Sequence, residues 1–174
     1  MEQTPWFERT FAPMADNGLL PGILERLEGT TPRIQYMLRE ERDDQLAIRL
    51  HDRWSVKEEI GHLGDLEELW LGRVDDFDEA KEILRSADLT NRKTHRAAHN
   101  KRAWQDLLAD FTNQREVLIQ RLRSLSSATL ERQALHPRLR TPMRVIDLCY
   151  FLAEHDDHHL ARIRRQLRSN YHSH

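Results

Sequence analysis

The sequence predicts an all-α protein, a four-helix bundle, on three observations. Four stretches carry apolar residues at three-and-four spacing, the period of one helix face. Strand signals are nearly absent: only six glycines and six prolines punctuate 174 residues. Charged residues make up 32% and hydrophobic residues 39%, a balance that suits soluble, strongly helical chains. A chain of this length buries a substantial core as one domain, residues 1–174.

Residues 1–17 form an irregular lead-in carrying Trp6, Phe7 and Phe11, with Pro13 and Pro21 bracketing a loop. A short helix is expected over Pro21–Leu27. Thr31-Pro32 reads as an N-cap followed by proline at the first helical position, opening a helix with Ile34, Met37 and Leu38 that ends near Arg42. Trp54-Ser55 starts the second long helix: Ser55 and Glu58 make an S-x-x-E capping box. Val56, Ile60, Leu63, Leu66 and Trp70 supply its apolar face to about Asp76, and Phe77–Arg85 extends or connects it. A third helix is expected from roughly Thr94 to Leu125, with Trp104, Leu107, Leu108, Phe111, Leu118 and Leu122 inward. Ser124–Arg140 is a connection with a turn near Thr129, and Thr141-Pro142 repeats the cap-plus-proline start for the fourth helix. The long connections permit crossovers, and residues 170–174 should fray.

Several function classes are excluded. No run of about 20 apolar residues exists, so no helical membrane span or membrane partner is expected. The start MEQTPWFERTF lacks the basic-then-apolar pattern of a secretory signal. A single cysteine, Cys149, precludes an internal disulfide framework and fits a cytoplasmic location. Formal charge is −2 with both signs interspersed, so no nucleic-acid partner is expected.

The fourth helix carries the chemistry. Val145, Leu148, Leu152 and Ile163 follow one helical face, and the stripe passes over His155 and His159. These two are four apart and project from the same face. Imidazoles within an apolar stripe need partners, and a divalent metal uses both at once. The pattern is not H-E-x-x-H, since Asp156 follows His155. His62, at the edge of the second helix's apolar face, is the best third ligand. A site of His62, His155 and His159 leaves the ion its charge and an open position, suited to activating water or a thiol. Asp65, one turn after His62, is a candidate orienting residue or general base.

The other polar residues have blander readings. His95 and His99 sit among Arg92, Lys93, Arg96 and Lys101 and read as a solvated helix start. His158 flanks the stripe with the site mouth within its reach, His136 reads as a turn residue that could also reach that mouth, and His51, His172 and His174 as surface or tail positions. Glu154 and Asp156 read as solvated helix charges, and Cys149 as a buried inert thiol.

Two segments carry a resemblance to a family. W-S-V-K-E-E-I-G-H-L-G-D-L-E from Trp54 and A-E-H-D-D-H-H-L-A-R-I from Ala153 are similar to the DinB/YfiT superfamily, as is T-P-R at Thr31–Arg33. The resemblance spans about Gly18 to Gln166. It implies a bundle with an up-up-down-down arrangement and short extra helical segments. It also implies a metal triad on His62, His155 and His159, with zinc or nickel as the usual ion. One departure is Arg162, where many members have glutamine. The family implies transfer of a low-molecular-weight thiol to a small electrophilic substrate, or thiol-assisted isomerisation. Alternatives are a metal-dependent hydrolase using bound water, or a non-enzymatic, damage-responsive metal binder with a closed site. Arg138, Arg140 and Arg144 are candidates for binding a carboxylate of a thiol cofactor, against a reading as solvated basic loop. Members are often dimers, so a homodimer is expected.

Overall fold

A computed structural model describes residues 3–171, the side chains of residues 170 and 171 excepted. The helices are α1 (Leu20–Glu28), α2 (Thr30–Leu38), α3 (Val56–Asp78), α4 (Arg92–Arg96), α5 (Trp104–Arg123), α6 (Ser127–Glu131) and α7 (Val145–Tyr171). A two-residue ladder pairs β1 (Ala134–Leu135) antiparallel with β2 (Pro142–Met143). The expected all-α four-helix bundle is what forms, its helices being α1–α2, α3, α5 and α7. No helix of the described residues is long and apolar enough to cross a membrane.

The helix directions differ from the expected up-up-down-down order. Glu59 meets His159 and Trp70 meets Phe151, so α3 and α7 are antiparallel. Glu67 pairs with Arg115 and Asp75 with Arg121, so α3 and α5 are parallel. Arg26 reaches Glu154, and farther along both helices Met37 and Leu167 line one groove, so α1–α2 runs parallel to α7. The order is therefore up-down-down-up. Parallel α3 and α5 require residues 79–103 to travel back along the 23-residue α3, about 35 Å.

Several boundaries move for physical reasons. Thr31 caps nothing: Gly29 is helical at φ −68°, its N–H bonds Glu25 O, and Arg33 N bonds Gly29 O, so α1 runs almost into α2. The interruption coincides with Pro32, which has no N–H to donate. The helix then ends at Leu38, short of Arg42. The capping box at Ser55 and Glu58 forms as expected, and α3 runs two residues past Asp76. The third helix does not start at Thr94. Left-handed Asn91 (φ 53°) and Ala98 (φ 51°) bracket α4, and α5 begins at Trp104, whose N–H donates to Asp43 from a distant loop. Thr141-Pro142 lies on the β-ladder rather than at a helix start. Asp147 instead accepts from Arg144 N at 2.8 Å and opens α7. The tail expected to fray from residue 170 is helical through Tyr171, and residues 172–174 lie outside the described residues.

The core is two apolar clusters separated by a polar layer. One contains Leu27, Trp70, Phe77, Leu118 and Leu152; the other contains Ile34, Ile60, Leu63, Phe111 and Ile163. Between them Arg115 is buried, donating to Glu67 Oε1 (2.7 Å), Asp156 Oδ2 (2.6 Å) and Leu27 O (3.2 Å). Thr30 Oγ1 also donates to Asp156 (2.7 Å), so Asp156 is buried and bonded, not the solvated charge its sequence context suggests. Replacing Arg115 by Ala leaves two buried carboxylates without their cation. Urea unfolding should show a loss of about 3–5 kcal/mol, and an unchanged midpoint would contradict this account of the layer.

Candidate metal centre

The same turns of α3 and α7 that enter the polar layer project histidines to its other side. His62, His155 and His159 are 4–5% exposed, and one nitrogen of each lies within 4.8 Å of the others. His155 Nε2 and His159 Nε2 are 3.1 Å apart. Two nitrogens bound tetrahedrally at 2.0–2.1 Å from one ion would sit about 3.3 Å apart.

Neighbouring groups set the tautomers of two rings. His159 Nδ1 is 2.6 Å from Glu59 Oε2, and Arg162 Nε is 2.8 Å from the other carboxylate oxygen. In its ionised form this carboxylate only accepts, so His159 Nδ1 then carries hydrogen and Nε2 presents a lone pair. Thr94 Oγ1 donates to Asp65 Oδ2 (2.8 Å), which leaves its oxygen to accept from His62 Nδ1 (3.0 Å). His62 Nε2 is then also free to ligate. His155 Nδ1 has no partner among the described residues.

Burial holds all three rings neutral. It pushes His62 down to about 2, with His159 adding to the effect, and His159 down to about 3, with Arg162 adding. His155 is held well below its ordinary value by burial and by the adjacent His159. Burial also pushes Glu59 up to about 7, against the pull of Arg162. Neutral imidazoles with inward lone pairs are the donor set a divalent ion requires, so the residues present fit one.

The crossover delivers the surrounding shell. Thr94 sits on α4, and His99 lies just beyond it, buried, with Nε2 donating to Asp65 Oδ2 at 2.9 Å. His99 was expected to be solvated; α3 makes room for it at Gly61, where an added Cβ would lie 2.3 Å from the ring. Burial raises the Asp65 carboxyl, but the bonds from His99 and Thr94 outweigh it and hold it below the usual range. Asp65 does not line the cavity described below and meets His62 only through Thr94.

The triad opens onto a cavity of 340 Å³ walled by Trp6, Trp54, Leu66, Trp70 and Phe151. His158 and Arg162 line it, and Arg162 lies over Trp54. His136, expected as a turn residue, is buried in the far wall beside Arg73 and Arg138. Arg140 is exposed, left-handed at φ 56° and not part of the lining. Arg144 is spent on Met14 O and Asp147. Cys149 is buried elsewhere in the core, and burial pushes its thiol up to about 12.

Sequence reasoning missed Glu59, Thr94 and Arg73. Glu59 had a usable signal, standing three residues before His62 on one helical face. It was absorbed into the acidic first turn of α3.

The fold and this donor set define a four-helix bundle with a three-imidazole centre at the floor of an aromatic cavity. The chain belongs to the DinB superfamily, whose sequence profile matches residues 26–163. Its structure is similar to that of YfiT from Bacillus subtilis, described as a probable metal-dependent hydrolase with an unusual four-helix bundle topology. The TM-score is 0.78 at 19% identity, over 93% of each chain. It is also similar to a mycothiol-dependent maleylpyruvate isomerase, with TM-score 0.66 at 11% identity, over 91% of this chain and 62% of that one. No curated protein sequence matches the chain.

Two outcomes follow from this geometry. Gly61→Ala should lower the thermal midpoint, because about 1–3 kcal/mol of overpacking against His99 exceeds the roughly 1 kcal/mol gained in helix propensity. A raised midpoint would contradict the seating of His99. Cys149 should resist a chromogenic disulfide reagent at pH 8 in the folded protein and react on unfolding; rapid native labelling would contradict its burial.

Proposed function

We propose that this chain is a divalent-metal-dependent enzyme, using zinc or nickel, that transfers a low-molecular-weight thiol to a small electrophilic substrate. The observation that carries the reading is the convergence of three neutral imidazoles on the floor of an open, largely apolar cavity. His62, His155 and His159 would hold the ion, with Glu59 and Thr94 orienting two of the rings. An ion held by these three imidazoles would supply Lewis acidity that favours the thiolate form of a bound thiol at neutral pH. The thiol proton leaves to solvent, a sulfur–carbon bond forms, and the electrophile's leaving group departs with its electron pair. Trp6, Trp54 and Trp70 give that encounter an apolar wall.

Among the described residues the cavity offers no free carboxylate as a general acid, which leaves His158 as the group a hydrolase would have to use. Asp88 is the single carboxylate in its lining, and its oxygens are taken by Thr90 and Arg92. Glu59 is engaged by His159 and Arg162 and is not in the lining. A hydrolase needs a group to protonate the leaving group, whereas thiolate attack on an alkyl or aryl halide does not. The likeness to YfiT supports a metal-dependent enzyme, and the likeness to a mycothiol-dependent protein supports a thiol as co-substrate.

Metal-loaded protein should consume thiol from a panel of bacterial thiols in the presence of monochlorobimane or chlorodinitrobenzene. No consumption with any thiol, with the metal verified as bound, overturns the transferase reading. Turnover of an ester or lactone without thiol would establish the hydrolase instead. His155→Ala should lose stoichiometric metal while keeping its far-ultraviolet helicity, and Glu59→Gln should weaken metal affinity about 10–100-fold. Full metal content in His155→Ala would remove the site assignment.

A further inference from the structure

The far wall of the cavity holds three hydrogen-bond donors without a matching acceptor. Leu139 N–H donates to His136 Nδ1 at 3.1 Å, so in the neutral ring the hydrogen resides on Nε2. His136 is neutral: burial pushes it down to about 3, with Arg73 and Arg138 adding. Its Nε2–H therefore faces Arg73 Nη1, another donor, at 3.2 Å. Arg73 is 2% exposed, its Nε donates to Arg85 O, and no carboxylate among the described residues pairs with it. The nearby Asp76 is bound by Arg85 and Lys81. Arg138 stacks over Phe7, and its Nη2 is buried with no partner among the described residues.

Buried guanidinium groups are ordinarily paired, because an uncompensated buried charge strongly destabilises the fold. Here the two arginines face the same cavity that ends on the three histidines, and burial lowers both from their ordinary value. A planar anion accepting from two guanidinium groups and one imidazole satisfies every donor at once. A carboxylate is such a planar anion.

We propose that Arg73, Arg138 and the Nε2–H of His136 form a carboxylate subsite, so that a small molecule bound at the three-histidine centre carries a carboxylate at its far end. This deepens the reading given above and rests on it. It also separates Arg138 from Arg140, which the sequence groups together. The carboxylate belongs either to the electrophile or to the thiol, and both donors would meet the same three groups.

Two acid–amide pairs separate these sources in titrations of the metal-loaded full chain followed by tryptophan fluorescence. The pairs are 3-phenylpropionate against its amide, and N-acetylcysteine against its amide. The expected result is about tenfold tighter binding of the acid in at least one pair, falling to near unity in Arg138→Gln and in Arg73→Gln. Preference in the thiol pair assigns the carboxylate to the thiol, and preference in the other pair assigns it to the electrophile. Equal binding of acid and amide in both pairs overturns the subsite. So does a wild-type preference kept by Arg138→Gln, a partly buried position whose replacement leaves the fully buried Arg73 in place. Metal content measured on each variant keeps the outcomes apart: its loss in wild type removes the metal reading, whereas an unchanged content with no acid preference removes only the subsite.

Discussion

The buried Arg115 guanidinium is the constraint on which the centre depends. It joins α5 to Glu67 of α3, Asp156 of α7 and the Leu27 carbonyl of α1. Burying that charge is tolerable only with both carboxylates in place, so the rotation of α7 about its axis is set by Asp156. Successive residues turn by about 100° on a helix. With Asp156 facing Arg115, His155 and His159 both fall to one side of it, separated by about 40°, toward α3. The apolar clusters above and below define where the layer lies, but they do not specify which polar edge of α7 meets α3.

The crossover is the second determinant. Parallel α3 and α5 oblige the chain to return along the bundle, and the returning segment brings Thr94 and His99 beside His62. A connection of this length could have remained a surface loop. Instead it supplies the hydrogen-bonded line His62–Thr94–Asp65–His99, which defines the His62 tautomer. Gly61, unfavourable within a helix by propensity, is explained by the ring resting on it.

How legible this was differs residue by residue. His155 and His159 stood out because two imidazoles interrupt an otherwise apolar stripe, and His62 because it borders the face that must oppose them. Ser55 and Glu58 were legible because a capping box is closed within four residues. Asp156 and His99 were misread for one reason: charged neighbours made their segments look solvated, while their partners lie in other helices. Thr31 and Thr141 were misread because a threonine–proline pair has the same local chemistry inside a helix, on a strand or at a cap.

The sequence by itself determined the faces of the helices, the start of α3 and the three imidazoles offered to one point. These are encoded by spacings of three and four residues, which a helix converts directly into geometry. Only the tertiary structure decided the helix directions, the pairing of Arg115 with Glu67 and Asp156, the grip of Glu59 on His159, and the convergence of Arg73 with His136 and Arg138. Those partners are separated by 48, 41 and 100 residues, and by 63 for Arg73 and His136. A buried charge is satisfied by whatever the packing brings within about 3 Å, and local periodicity carries no record of that neighbour.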